Sequence, residues 1–348
     1  MSCYHPLRGI VLGTNENGKK NIKIIKGSDF EFQYPDVEYL EIPCGHCIGC
    51  LLDRSRQWAD RCMLEAKTQK DKYNRPSCFI TLTYDDEHLK DLPYNPDMYP
   101  DYDPDRDTDK LVFHSLDKIH LQNFWKRLRS RLDEKYDIKI RYFACGEYGD
   151  FEKTGRPHFH AIIFGYDFNH DRVLYKQNFR GEPLYNSKLL NSCWPYGFAV
   201  VANCNWDTCA YVSRYCLKKR HNNLNDLYDA YKLCPEYNTM SRRPGIGREY
   251  FDDHMHDIYR TETIFLGDAE GSRKLRPPRY YDKLYDVECP ADFERIKSKR
   301  IASAIQRKSD TLERTDLKYI DYLKVCEYNK NSKTKILNER SRFYETSI

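Results

Sequence analysis

Residues 156–164 read Arg-Pro-His-Phe-His-Ala-Ile-Ile-Phe and contain two histidines separated by one large hydrophobic residue. The run follows glycine and proline turn signals and is mostly apolar, which predicts a buried β-strand. Because side chains two residues apart on a strand point to the same face, His158 and His160 project together, roughly 6.5–7 Å apart at the backbone. Two neutral imidazoles at that distance can bind one divalent metal ion, while Phe159 and Ala161 pack on the opposite face.

The preceding run, residues 138–148, predicts a partner strand that is joined to the first by a polar turn over residues 149–155. A hairpin of that length can bring Glu147 beside the two histidines. Two imidazoles and one carboxylate leave coordination positions open, as is needed when a metal must bind a substrate oxygen. Glu147 is therefore the candidate third ligand. The alternatives are Asp150 or another acid as the ligand, and a merely solvated hairpin position for Glu147.

Residues 207–219 predict a helix with Asp207 as its N-cap. On such a helix Tyr211 and Tyr215 lie one turn apart on a single face, and Lys218 continues the stripe. A lysine in that place can lower the pKa of a tyrosine or neutralise charge on a phosphate under attack. The two tyrosines are candidate nucleophiles.

The spacing of the tyrosines alone is a weak signal, because the chain has 29 tyrosines among 348 residues. Chance gives roughly two pairs at a separation of four, and the sequence contains two. The second pair, Tyr281 and Tyr285, follows a Pro-Pro turn and lacks the lysine. We therefore expect Tyr281→Phe to behave as wild type.

The histidine pair and the tyrosine helix belong to an ordered set of motifs. The set comprises residues 42–50 (IPCGHCIGC), 79–84 (FITLTY), 155–160 (GRPHFH), 211–219 (YVSRYCLKK) and 242–248 (RRPGIGR). In this order the motifs resemble the rolling-circle replication initiators of the two-tyrosine HUH endonuclease type. They are most similar to the initiators of gokushoviruses, which are small single-stranded DNA phages. Residues after 250 add nothing to the resemblance.

The resemblance implies a site-specific endonuclease and ligase that nicks single-stranded origin DNA and later rejoins strands in rolling-circle replication. It implies that His158, His160 and Glu147 hold Mg²⁺ or Mn²⁺ at the scissile phosphate. It also implies attack by Tyr211 or Tyr215, which leaves a 5′-phosphotyrosyl bond and a free 3′-hydroxyl. Relaxases and transposases share this chemistry. A non-catalytic, zinc-dependent nucleic-acid-binding protein would share only the cysteines and the basic surfaces, so both alternatives stay open.

The cysteine-rich segment 44–50 has the density of thiols typical of a metal site. Cys-x-x-Cys turns suit tetrahedral zinc, whereas a redox pair would need a strand-to-helix context that is absent. Clustered cysteines can also be simple turn and core residues. The candidate ligands of a structural zinc ion are Cys44, Cys47, Cys50 and Cys3, with His5 or His46 as alternatives to the last.

Two basic segments are candidates for contacts with DNA phosphates. One is the arginine- and glycine-rich loop 242–248, whose backbone amides can approach a phosphate closely. The other is the polar face of a predicted helix over residues 115–135, although charged faces are usually only solvated. The candidate residues are Arg242, Arg243, Arg248, Lys126 and Arg127.

The formal net charge of +4 over 348 residues excludes a histone-like polycation, so any DNA-binding surface is local. Neither a signal peptide nor a run of roughly twenty apolar residues is found. We expect no membrane association and a location in the cytoplasm of the bacterial host. A P-loop-like match at residues 13–19 has Lys20 where Ser or Thr is required. Host helicase and host DNA polymerase are therefore expected partners, besides single-stranded origin DNA.

The predicted fold is α+β, with a central antiparallel sheet of about four to five strands, flanking helices and a small N-terminal zinc-bound appendage. Residues 1–51 form the N-terminal hairpin and the Cys-rich element. Residues 52–250 form the endonuclease domain, with an acidic loop at 85–109. Residues 251–348 form a C-terminal helical region without an assigned role.

Overall fold

The computed structural model describes residues 3–14, 20–25, 39–89, 91–92, 113–149, 155–178, 180–218, 228, 232–268 and 271–345. The strands in this part of the chain are β1 (Leu7–Thr14), β2 (Lys20–Ile25), β3 (Leu40–Ile42), β4 (Cys78–Tyr84), β5 (Asp91–Leu92), β6 (Phe113–His114), β7 (Arg141–Tyr148), β8 (Pro157–Phe164), β9 (Arg172–Gln177), β10 (Pro183–Ser187), β11 (Gly197–Asn203), β12 (Tyr237–Met240), β13 (Ile264–Asp268) and β14 (Gly271–Leu275). The helices are α1 (Ile48–Tyr73), α2 (Lys118–Tyr136), α3 (Lys188–Cys193), α4 (Trp206–Lys218), α5 (Arg248–Thr261), α6 (Arg279–Glu288), α7 (Pro290–Leu312) and α8 (Tyr319–Glu345).

The chain divides into two compact units. The cysteine unit consists of Met1–Arg54 and Glu288–Arg340. The sheet unit consists of Ser55–Val287 and Ser341–Ile348. Helix α5, the β13–β14 hairpin and most of α6 therefore belong to the same unit as the predicted endonuclease domain. The predicted acidic loop 85–109 lies mostly outside the described residues.

The sheet unit is built on a seven-stranded sheet with the order β12-β7-β8-β4-β11-β10-β9. Every neighbouring pair in it is antiparallel. The α+β class and the antiparallel central sheet are confirmed, but the predicted four to five strands are too few. The strands that the sequence did not reveal are β9, β10 and β12. Two of them are edge strands without a fully buried face, so their residues lack the apolar alternation that identifies a half-buried strand.

The two faces of this sheet carry separate hydrophobic cores. Phe159 and Ala161 point into the core that includes α2 and α3. Ile162 and Phe164 point to the other face, where they pack with residues of α1 and α4. Because strand residues alternate between faces, His158 and His160 lie on the α1 and α4 side, with Phe159 between them on the other side, as predicted.

The cysteine unit contains a three-stranded antiparallel sheet with the order β2-β1-β3, in which β1 and β2 form the predicted N-terminal hairpin. The ammonium group of Lys308 on α7 lies 2.6 Å from a carboxylate oxygen of Glu41 on β3. This ion pair joins the C-terminal helices to the N-terminal sheet within the unit. In the described parts of the chain, no helix combines the length and the apolar character needed to cross a membrane.

Candidate active site

The pairing of β7 with β8 assembles the histidine cluster, in which Glu147 lies opposite His158 and Cys145 lies opposite His160. Glu147 Oε1 is 3.0 Å from His158 Nε2 and 2.8 Å from His160 Nε2. The ligand atoms of these three residues all lie within 4.8 Å of one another, and all three side chains are buried. The hairpin therefore brings together the three side chains that the sequence predicts as metal ligands.

The outer nitrogens of both imidazoles are held by neighbouring groups. His158 Nδ1 lies 3.0 Å from the carbonyl oxygen of Arg156, and His160 Nδ1 lies 2.9 Å from the hydroxyl of Thr81. A carbonyl oxygen only accepts, so Nδ1 of His158 carries the proton in that bond. The neutral ring then turns the lone pair of Nε2 toward the carboxylate of Glu147. Two acceptors facing each other at 3.0 Å fit a cation between them, and two imidazoles with one carboxylate suit a divalent transition metal or a hard dication.

Helix α4 brings the first predicted nucleophile to this cluster. The Tyr211 hydroxyl lies 3.3 Å from His160 Nε2, and the ring packs edge-on against Phe79 with centroids 6.1 Å apart. Tyr211 is only 1% exposed. The helix extends to Lys218, so its backbone places Tyr215 one turn further on. The side chains of Tyr215 and Lys218 lie outside the described residues.

Asn205, rather than Asp207, caps helix α4. The Asn205 side chain accepts from the backbone N–H of Thr208, and the Thr208 hydroxyl accepts from the N–H of Asn205, both at 2.9 Å. This reciprocal pair satisfies amide groups at the start of the helix. Asp207 lies inside the first turn, with a carboxylate oxygen 3.4 Å from the guanidinium of Arg180. The predicted cap was wrong because either residue suits the position by type and only the backbone geometry distinguishes them.

The predicted DNA-binding loop 242–248 does not lie at the histidine cluster. The guanidinium of Arg141, at the start of β7, donates to the carbonyl of Pro244 at 2.7 Å. Glu147 is six residues further along the same strand, which corresponds to roughly 20 Å. Arg242 and Arg243 are exposed on this loop. A pairing between β12 and β7 that is distant in sequence fixes this position, so local motifs do not reveal it.

The glycines of this loop are required by packing within the protein. A Cβ at position 245 would lie 2.5 Å from the hydroxyl of Tyr280, and Gly247 has a φ of +74°. The N–H of Gly247 donates to the buried carboxylate of Glu65 at 2.7 Å, and its carbonyl accepts from the Tyr281 hydroxyl at 2.6 Å. The amide of Gly247 is thus engaged inside the protein. Tyr281→Phe would remove a buried hydrogen bond, so Tyr281 is not the neutral control that the sequence suggests.

The remaining predicted DNA contacts occupy other places. Arg248 pairs with Asp252 one turn along α5, with 2.7 Å between the charged groups. Lys126 and Arg127 lie on α2, whose apolar side packs on the face of the sheet opposite the histidine cluster. Arg127 donates to the carbonyl of Cys193 at 2.8 Å, which fixes it to the end of α3.

The four predicted cysteine ligands meet in the cysteine unit. Their sulfur atoms lie within 4.8 Å of one another. The sulfurs of Cys44 and Cys50 are 4.0 Å apart, as are those of Cys47 and Cys3. Backbone N–H groups point at the cluster, including that of Cys44, which lies 3.2 Å from the sulfur of Cys3. Four converging thiols match the donor set of a tetrahedral soft-metal site.

The two histidines that were alternatives to Cys3 have other neighbours. His46 Nδ1 lies 3.1 Å from the carbonyl oxygen of Cys44. His5 Nε2 lies 2.5 Å from a carboxylate oxygen of Glu327. The geometry therefore favours Cys3 as the fourth member of the cysteine cluster.

Comparison with known proteins connects these features to a family. The family of the replication-associated protein ORF2 matches residues 77–220, which contain the histidine cluster and α4. The replication-associated protein ORF2 of Spiroplasma virus 4 is 30% identical over 329 residues, with 93% of each chain covered. The chain belongs to the phage replication-associated proteins.

Two further relatives in this family come from other phages. The replication-associated protein VP4 of Bdellovibrio phage phiMH2K is 28% identical over 315 residues, covering 88% of this chain and 86% of the relative. The replication-associated protein ORF4 of Chlamydia phage 1 is 27% identical over 282 residues, covering 78% and 60%. No solved structure matches the chain. The gokushovirus-like resemblance deduced from the motifs is confirmed.

Proposed function

We propose that this phage replication-associated protein initiates rolling-circle replication by cutting single-stranded origin DNA with a tyrosine. The observation that carries the proposal is the Tyr211 hydroxyl 3.3 Å from His160 Nε2, beside His158 and Glu147. A candidate nucleophile thus lies next to a candidate metal site, in a protein whose relatives are named for replication. A relaxase or transposase would share this arrangement, whereas a binding module would have no use for it.

In the proposed reaction, a tyrosine oxygen bonds to phosphorus while the bond from phosphorus to the 3′-oxygen breaks. The phenol loses a proton and the leaving oxygen gains one, so the products are a 5′-phosphotyrosyl bond and a free 3′-hydroxyl. His158, His160 and Glu147 would hold Mg²⁺ or Mn²⁺. When bound, such a cation neutralises charge on the non-bridging oxygens of the scissile phosphate. Thr81 and the carbonyl of Arg156 keep the two imidazoles oriented.

Two tyrosines suit a replicon that must be cut twice. One tyrosine holds the old 5′-end while the other cleaves the junction regenerated after one circuit. The released 3′-hydroxyl then attacks the first phosphotyrosyl bond and closes a circle. Tyr211 and Tyr215, one helical turn apart on α4, fit this division of labour, and Lys218 would stabilise the charge that develops. The free 3′-hydroxyl is a primer for a host polymerase, and a host helicase would unwind the duplex in the bacterial cytoplasm.

The experiment for the proposal is incubation of the protein with its own circular single-stranded phage genome and Mn²⁺. We expect linear DNA whose 5′-end is covalently attached to protein and resists 5′-phosphorylation. Nicking without attached protein would indicate hydrolysis by another route. Rejoining into circles would separate a replication initiator from a protein that only nicks.

Glu147→Gln tests the third ligand. Gln keeps the shape of the side chain but removes the negative charge that faces both imidazoles, so metal binding weakens. We expect the Mn²⁺ concentration for half-maximal nicking to rise roughly ten-fold or more. Glu134→Gln on α2 is the matched control and leaves the titration unchanged. If Glu147→Gln also leaves it unchanged, the ligand role passes to Asp150 or another acid.

We further propose that Cys3, Cys44, Cys47 and Cys50 hold one structural zinc ion. Protein purified without added metal is expected to contain about one zinc per chain, and Cys47→Ser should lose it with increased proteolysis of the cysteine unit. Cys326→Ser, in the same unit, should retain the metal. Folded wild-type protein without zinc by elemental analysis would reject this site.

Arg242 and Arg243 are proposed to contact DNA phosphates away from the scissile bond. Both are exposed on a loop whose backbone is held by Arg141 and Glu65, so their positions are well supported. At roughly 20 Å from Glu147 along β7, they would contact nucleotides remote from the cleavage point. Lys126 and Arg127 are not part of this proposal because α2 lies on the other face of the sheet.

A further inference from the structure

One row of paired residues runs across four strands on the catalytic face of the sheet. Glu147 on β7 pairs with His158 on β8, His158 pairs with Thr83 on β4, and Thr83 pairs with Phe198 on β11. Directly paired residues of antiparallel strands point to the same face. Phe198 therefore points to the same side as the histidine cluster, two strands from His158.

Phe198 is exposed where its neighbours are buried. Its side chain is 67% exposed, whereas Val200, two residues further along the same face of β11, is 6% exposed. β11 is an inner strand with β4 on one side and β10 on the other, and large apolar residues on such strands are normally covered. An uncovered ring in line with the catalytic cluster thus needs a reason other than the packing of the sheet.

A rigid framework presents the ring of Phe198. Gly197 starts β11 with a φ of +145°, and a Cβ there would lie 2.4 Å from the carbonyl oxygen of Thr83. The buried indole of Trp194 donates to the same carbonyl at 3.1 Å. The N–H of Asp85 donates to the carbonyl of Tyr196 at 3.0 Å. The exposure of Phe198 is therefore not that of a frayed strand end.

The distance from the cluster suits a neighbouring nucleotide. Two strand spacings separate His158 from Phe198, or roughly 10 Å. This corresponds to about three nucleotides at the duplex spacing of ~3.4 Å, and to fewer in an extended strand. A strand whose scissile phosphate lies at the histidines can therefore pass over Thr83 and bring a nearby base to the ring.

We propose that Phe198 is a stacking platform for an unpaired base close to the scissile phosphate. The proposal rests on the proposed function, because it takes single-stranded DNA as the ligand of this face. The ring offers a flat apolar surface that any base can stack on, so it positions the strand without selecting a sequence. The continuity of the row with the candidate active site favours DNA over a protein partner.

The test measures binding without cleavage, using fluorescein-labelled dT15 in buffer without added divalent metal. Phe198→Ala is expected to raise the Kd by about five-fold or more, because base stacking on an aromatic ring contributes at least that much per base. Phe198→Tyr keeps the ring and should stay within about two-fold of wild type. Phe265→Ala removes a ring that is 62% exposed on β13, outside the row, and should bind like wild type.

Photo-crosslinking locates the contact directly. A dT15 probe in which one thymidine is replaced by 5-iododeoxyuridine should crosslink to the peptide that contains Phe198. Crosslinks confined to other peptides, or Phe198→Ala binding dT15 as tightly as wild type, would overturn the stacking proposal and leave the nicking proposal intact. Wild-type protein that does not bind dT15 would contradict both.

Discussion

His158→Ala and His160→Ala are each expected to reduce metal-dependent nicking by at least roughly 10²- to 10³-fold while single-stranded DNA binding changes little. Each imidazole lies within 3.0 Å of Glu147, so removing either one opens the donor set. The ligands act on the phosphate as charge develops in the transition state, which is why the rate falls and the binding of DNA does not. Nicking rates over a Mn²⁺ titration, with fluorescence anisotropy for binding, measure both effects.

His256→Ala is the matched control for the histidine variants, because it removes an exposed imidazole on α5. His160 is also in contact with Thr81 and Tyr211, so thermal unfolding of His160→Ala is measured alongside activity. A folded His158→Ala or His160→Ala protein that cleaves at the full rate would contradict the metal assignment.

Replacing both Tyr211 and Tyr215 with Phe is expected to abolish covalent capture of DNA. Phe keeps the ring of Tyr211 against Phe79 and removes only the hydroxyl at His160, so a loss reports on the nucleophile rather than on packing. Each single variant should still nick where the remaining tyrosine reaches the phosphate. Neither should complete circles, because one nucleophile cannot hold the old end and cut the new one.

The control for the tyrosine variants is Tyr175→Phe, which changes an exposed tyrosine on the edge strand β9. It replaces Tyr281→Phe, whose buried hydroxyl supports the loop at Gly247. Circle formation is followed on gels with a closed single-stranded DNA standard. Single variants that produce circles at the wild-type rate would show that one tyrosine suffices.

Local periodicity was enough to predict the centre of the sheet. The alternation in His158, Phe159 and His160 gave the correct face for each residue, and the length of the following hairpin was enough to bring Glu147 to the histidines. These features depend on neighbours in sequence, so the pattern of side chains carries them.

Features that depend on distant pairing could not be predicted in the same way. The loop at Arg242 lies at the far end of β7 because β12 pairs with Phe143 and its neighbours, about a hundred residues earlier in the chain. The contact of Thr81 with His160 and the row that ends at Phe198 likewise follow from the order of β8, β4 and β11. The alternation along β4 had placed Thr81 and Thr83 on one face, but the partner strands were needed to say which face.

The most direct measurement of the central claim is the identification of the amino acid that becomes attached to DNA. The protein is incubated with its single-stranded phage genome and Mn²⁺, digested with nuclease and trypsin, and the nucleotide-bearing peptide is sequenced by mass spectrometry. The account predicts a phosphotyrosyl adduct at Tyr211 or Tyr215, which the double Phe variant lacks. An adduct on any other residue, or an adduct that persists in the double variant, would contradict the assignment of α4 and the histidine cluster as the active site.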